Sequence, residues 1–137
     1  MEWKDEYSVG ISAIDQEHQV LVEYVSDIEY AIESSDRQAV EAAIGRLASF
    51  AVTHFSFEET LMQVQRYEDV KAHVEGHKSF LATLNSLQDK YRDEAVSNGT
   101  LEALHTWLAQ HFTGDDKLYA SSLAPKDRDW MDKYFPS

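Results

Sequence analysis

Along the first third of the chain, seam positions step alternately by four and three through Ile14, His18, Leu21, Val25, Ile28 and Ile32. Such steps keep side chains on one stripe of an α-helix, whose turn takes about 3.6 residues. The stepping resumes in Val40, Ile44, Leu47, Ala51, His54, Glu58, Leu61 and Gln65, and again in Val70, His73, His77, Phe80, Leu84, Leu87 and Tyr91. A fourth stripe holds Leu101, Leu104, Leu108 and His111. The pattern predicts amphipathic helices over about residues 12–33, 36–65, 70–92 and 100–120. Ser12, the Ser35-Asp36-Arg37-Gln38 capping box and the turn chemistry of Ser97-Asn98-Gly99-Thr100 supply the expected helix starts. The expected fold is all-α: an antiparallel up-down-up-down four-helix bundle. An N-terminal arm with Trp3, Tyr7, Val9 and Ile11 should pack on the body, and a short C-terminal tail with Trp130, Tyr134 and Phe135 should follow the break at Pro125. Residues 1–137 should form a single domain, enough for one sizeable core.

The stripes are not purely apolar. Five of the six histidines, His18, His54, His73, His77 and His111, occupy seam positions together with Glu58. Each buried polar group left without a partner costs about 1–3 kcal/mol. A domain with a net stability of ~5–15 kcal/mol cannot absorb several such costs. Metal ions satisfy imidazole lone pairs and a carboxylate charge together. His105 lies off the fourth stripe and reads as a surface histidine. No cysteine is present, so any metal must be held by histidine and carboxylate.

Five imidazoles exceed the needs of one ion, so two neighbouring ions are implied. Two six-coordinate ions offer about twelve positions. Five histidines, two bridging carboxylates and one bridging oxygen leave one position open for a small ligand. The second carboxylate should come from the fourth helix beyond His111. Regular helix geometry favours Asp115, four residues on; Asp116 requires a distortion near Gly114.

Charge narrows the partners. Twenty-five acidic against 12 basic residues give a formal charge of −13, which disfavours nucleic acid and anionic bilayers. No run approaches the ~20 apolar residues of a membrane span, and no signal-like segment opens the chain, so a cytoplasmic monomer without membrane insertion is expected.

The segments Asp15-Gln-Glu-His18, His54-Phe-Ser-Phe-Glu58-Glu59, His73 to His77, and Trp107-Leu-Ala-Gln-His111-Phe-Thr-Gly-Asp-Asp116 together resemble the hemerythrin family, in particular its bacterial single-domain members. The resemblance spans residues 3 to about 120. It implies two iron ions per chain, oxo- or hydroxo-bridged, with His73, His77 and His111 on one iron, His18 and His54 on the other, and Glu58 and Asp116 bridging. The family's aspartate follows its last histidine by five residues, which selects Asp116. The implied activity is reversible dioxygen binding for storage, delivery or sensing, without catalysis. Leu108 is the expected apolar wall of the dioxygen pocket, with Phe55 and Trp107 as further candidates. The chain departs from the family's usual pattern at Glu17 (commonly Gln), Glu68 (commonly Pro) and Phe50 (commonly Tyr), none of them a ligand position. Rival readings are an enzyme acting on peroxide, nitric oxide or a hydrolysable substrate, and an iron-storage or zinc protein. No seam-facing acid, base or nucleophile remains once the ligands are assigned, which counts against the enzyme.

Overall fold

Helices form where the stepping places them: α1 (Ser12–Glu33), α2 (Arg37–Val64), α3 (Val70–Tyr91) and α4 (Asn98–His111). The computed structural model describes residues 1–91 and 98–135, and the side chains of residues 1–89 and 99–135. Residue 92, given to the third helix, and the expected turn residue Ser97 lie outside the described residues, as does the side chain of Tyr91. The 22 residues of α1 span about 33 Å at ~1.5 Å per residue. Successive helices pack against each other from α1 to α3, and α4 returns to α1, as an antiparallel bundle requires. Among the described residues there is no strand, and no helix is long and apolar enough to cross a membrane.

Two helix starts differ from expectation. Ser12 lies inside α1 and Ile11 holds the cap position without a side-chain bond. Instead Asp15, in the first turn, accepts bonds from the Val9 N–H at 2.8 Å and the Ser8 hydroxyl at 2.5 Å. A carboxylate there also meets the positive end of the helix, so one side chain both ends the arm and starts the helix. At α2 the cap is Asp36, whose side chain accepts the Ala39 N–H at 3.2 Å. Ser35 is instead left-handed, with φ 57°, and turns the chain out of α1.

The core is divided. A larger cluster includes Leu21, Val25, Ile44, Leu47, Phe55, Leu84, Leu108 and Phe112. A smaller one at the other end holds Val9, Ile11, Ile14, Leu61, Met62, Tyr119, Ala120 and Met131. On α1, His18 falls between Ile14 of the small cluster and Leu21 of the large one. On α2, His54 and Glu58 fall between Ala51 and Leu61. The histidines thus form a polar layer with apolar packing above and below.

Beyond His111 the fourth helix widens into a π-helical turn over Phe112–Asp116 and continues as α5 (Lys117–Ser122). The tail is ordered into α6 (Pro125–Tyr134), with Pro125 in its first turn. Met131 is fully buried in the small cluster, Phe135 meets Phe57 with ring centroids 5.2 Å apart, and Arg128 donates to the Ala120 carbonyl.

Candidate metal centre

Stepping by four places His54 and Glu58 on one face of α2, and His73 and His77 on one face of α3. His18 comes from α1 and His111 from the end of α4. The π turn then admits one extra residue, so the side chain five positions after His111 points inward. That residue is Asp116, which is 2 % exposed. Asp115, which regular geometry favours, points outward to accept a bond from the Nδ1 of His111 at 3.1 Å. His105 lies away from the layer and contacts Glu29 at 2.6 Å.

The seven side chains converge through equivalent atoms. Glu58 Oε2 lies 2.7 Å from His54 Nε2 and 3.2 Å from His18 Nε2, while its Oε1 lies 3.2 Å from His77 Nε2 and 3.3 Å from His73 Nε2. Asp116 divides in the same way: Oδ2 is 3.1 Å from His18 Nε2, and Oδ1 is 2.9 Å from His73 Nε2 and 3.2 Å from His111 Nε2. Each carboxylate therefore has one oxygen toward His18 and the other toward the α3–α4 histidines. Two donor groups result: Glu58, His73, His77, His111 and Asp116, and His18, His54 and Glu58, with the donor atoms of each group within 4.8 Å of one another.

This set fits a pair of cations. His77 Nε2 and His111 Nε2 face each other at 3.1 Å, a contact of two ring nitrogens that a shared cation accounts for. His54 Nε2 and both oxygens of Asp116 are buried and complete no hydrogen bond, close though their neighbours are. Atoms aimed at a common point rather than at one another are what coordination produces. In the metal-free protein, protons supply the positive charge the layer demands. Burial alone lowers an imidazole's pKa, but Glu58 and Asp116 outweigh it. Both raise His18 and hold His73 at about 9, Glu58 together with Glu17 holds His54 at about 10, and Asp116 together with Asp115 and Glu58 holds His111 at about 10. Burial pushes Glu58 and Asp116 upward, yet the surrounding imidazoles keep both below the ordinary carboxylate range.

An outer ring supports the rings from behind. Glu59 contacts His77 Nδ1 at 3.2 Å, Asp115 contacts His111 Nδ1 at 3.1 Å, and Glu17 stands 3.5 Å from His54 Nδ1. Sequence spacing gives Glu17 and Glu59 no role at the site and favours Asp115 as a bridging carboxylate, whereas here Asp115 supports a ring from behind. A signal was present: each of the three is the immediate neighbour of an inward ligand, about 100° round the helix, where it meets a ring at a helix boundary. Aromatic faces complete the shell. Phe55 stacks on His77 with centroids 3.9 Å apart, Trp107 on His111 at 4.5 Å, and Phe112 on His18 at 4.1 Å. Phe55 and Trp107 therefore lie against the three-histidine group. Phe112, not foreseen, covers the two-histidine group, and Leu108 is wholly buried in the adjoining large cluster.

The family model of the hemerythrin HHE cation binding domain matches residues 9–123. The chain belongs to the hemerythrin family. A bacteriohemerythrin from Stenotrophomonas maltophilia is 31 % identical over 122 residues, covering 88 % of this chain and 80 % of that protein. Myohemerythrin-1 from Phascolopsis gouldii is 29 % identical, covering 88 % of this chain and 92 % of that one. Among solved structures, a wild-type hemerythrin crystal structure superposes with a TM-score of 0.83 at 27 % identity, covering 88 % of this chain and 95 % of that chain. The hemerythrin match ends at residue 123, so α6 and its contacts with the small cluster lie beyond it.

Proposed function

We propose that the chain binds dioxygen reversibly at a di-iron centre, with His73, His77 and His111 holding one iron, His18 and His54 the other, and Glu58 and Asp116 bridging. The observation that carries this reading is the unequal division of donors across two shared carboxylates. One group offers three imidazoles and the other two, so an ion held by His18 and His54 would keep a position for a small ligand. When bound, the iron pair supplies electrons to dioxygen and recovers them on release.

The chain's own residues favour binding over turnover. The buried polar side chains among the described residues are the seven metal donors themselves. Buried Tyr119, whose ring centroid lies 6.2 Å from that of His73, donates its phenol to Gln65 rather than toward the histidines. Glu59 and Asp115 fix the ring orientation of His77 and His111. Phe112 closes the face of His18, and Leu108, wholly buried in the large cluster to which Phe112 also belongs, is the residue we assign as an apolar wall of the pocket. The reading extends to a monomeric cytoplasmic protein that stores, delivers or senses dioxygen.

The test is optical. Purified protein should contain two irons per chain. After anaerobic reduction, air should produce a visible charge-transfer band that bleaches under vacuum and returns with air. A reduced protein that shows no such band, or that contains zinc, would overturn the reading.

A further inference from the structure

A line of rings leads from the metal layer to the surface. Phe112 stacks on His18 at 4.1 Å with planes 16° apart, Trp3 meets Phe112 at 6.3 Å, and Tyr7 braces both at 5.7 and 5.8 Å. Trp3 is only half-buried and forms part of the wall of a surface groove of about 610 Å³ between the N-terminal arm and α1. The rim of that groove carries Glu2, Glu23 and Asp27; no lysine or arginine side chain lines it among the described residues, and the Met1 ammonium is paired with Glu29. The line ends on His18, an imidazole of the two-histidine group.

We propose that this groove docks a one-electron donor protein with a basic rim, and that Trp3, Phe112 and His18 conduct its electron to the centre. The proposal rests on the di-iron reading of the site. A carrier whose iron becomes fully oxidised no longer binds dioxygen and needs its electrons restored. Each encounter oxidises the donor by one electron and reduces the centre by one, with no bond to the protein made or broken. Two encounters restore the pair. Rings in contact couple donor and acceptor better than the same distance through solvent, and the acidic rim raises the encounter rate of a cationic partner. The same rim repels anions, so the surface selects its partner by charge.

The test uses two probes. In the metal-free protein, the redox-inert paramagnetic cation tris(phenanthroline)chromium(III) should broaden the NMR amide signals of Glu2, Trp3, Glu23 and Asp27 first. Broadening concentrated elsewhere would overturn the docking site, whatever metal the protein binds. In the iron-loaded, reduced protein, anaerobic stopped-flow oxidation by tris(phenanthroline)cobalt(III) follows the same route in reverse and is compared with oxidation by ferricyanide. The surface double variant Glu23→Gln/Asp27→Asn should slow the cobalt cation by about five- to tenfold at low salt and leave ferricyanide unchanged or faster. Trp3→Leu should slow the cobalt cation while the oxygenated spectrum is retained. Equal effects on both oxidants, or no effect of either variant, would overturn the route. The oxygenated spectrum of the unmodified protein checks the di-iron reading separately.

Discussion

Replacing Asp116 by alanine is the sharpest test of how the site is built. Its two oxygens address His18 on one side and His73 and His111 on the other, at 2.9–3.2 Å. Asp116→Ala therefore removes one donor from each ion. Loss of a residue that merely orients a ligand costs about 10–100-fold in metal affinity, so loss of a shared ligand should exceed ~100-fold. Asp115 is such an orienting residue, bonded to His111 Nδ1 and 59 % exposed in its side chain. Asp115→Ala should therefore fall near the low end, about tenfold, and leave occupancy close to two irons per chain at stoichiometric loading. In the metal-free protein the contrast persists, because removing Asp116 leaves buried imidazolium charges short of a partner, at a cost of about 3 kcal/mol or more. Competition against a chelator, read as iron per chain, measures the first effect, and urea unfolding of the metal-free variants measures the second. Greater iron loss in Asp115→Ala than in Asp116→Ala would show that the π turn does not present Asp116 to the metals.

The remaining expectations concern the layer and its surroundings. With His54 and His111 raised to about 10 and His73 to about 9, their charge stabilises the metal-free fold fully below their ordinary value of 6.5, and that contribution is lost as pH rises through 9–10. Glu58 and Asp116 are depressed, so their contribution is present above their ordinary values of 4.5 and 3.8 and is lost in acid. Thermal melts of the metal-free protein should thus peak between about pH 4.5 and 6.5 and decline toward pH 10, and a flat profile from neutral to pH 10 would contradict the charge assignment. Arg66 is left-handed, with φ 57°, just after α2. Arg66→Gly should relieve that strain and gain about 0.5–1 kcal/mol by urea unfolding, part of it offset by a freer unfolded chain. Leu108 is wholly buried, so Leu108→Ala should cost about 2–5 kcal/mol. It should also shorten the lifetime of the oxygenated spectrum without changing iron content; an unchanged lifetime would remove Leu108 from the pocket.

The four-helix architecture was legible because each seam runs for many turns, and the histidines were legible because they occupy seam positions where a solvated polar residue has no place. Asp116 was not legible from spacing. A π turn breaks the periodicity that makes spacing informative, and Gly114 marks only a place where that could happen. Local capping was ambiguous for a related reason. Ser35 and Asp36 are both cap-forming residues, and only the backbone decides that Asp36 caps α2 while Ser35 turns left-handed. The tail could not be placed because ten residues carry too short a pattern to show which face is buried; its partners come from α1, α2 and α5 at once. Phe112 escaped notice because an apolar residue beside a ligand reads as ordinary core until its ring is seen against His18.

The division of the core explains why so polar a layer is tolerable. Five imidazoles and two carboxylates in the middle of a 137-residue chain would be an excessive desolvation cost if scattered. Gathered in one stratum, they satisfy one another electrostatically when metal-free and satisfy the ions when loaded, while the clusters above and below remain apolar. The small cluster also has a mechanical role. Tyr119 and Ala120 of α5 belong to it, Arg128 of α6 holds the Ala120 carbonyl, and the π turn bearing Asp116 leads directly into α5. Packing at this end should therefore help to orient the Asp116 carboxylate, so a core substitution such as Met131→Ala should lower iron affinity as well as stability. The measurement is the chelator competition used for Asp116, at a urea concentration where the variant remains folded. Lost stability with unchanged affinity would show that the π turn holds its geometry without α6.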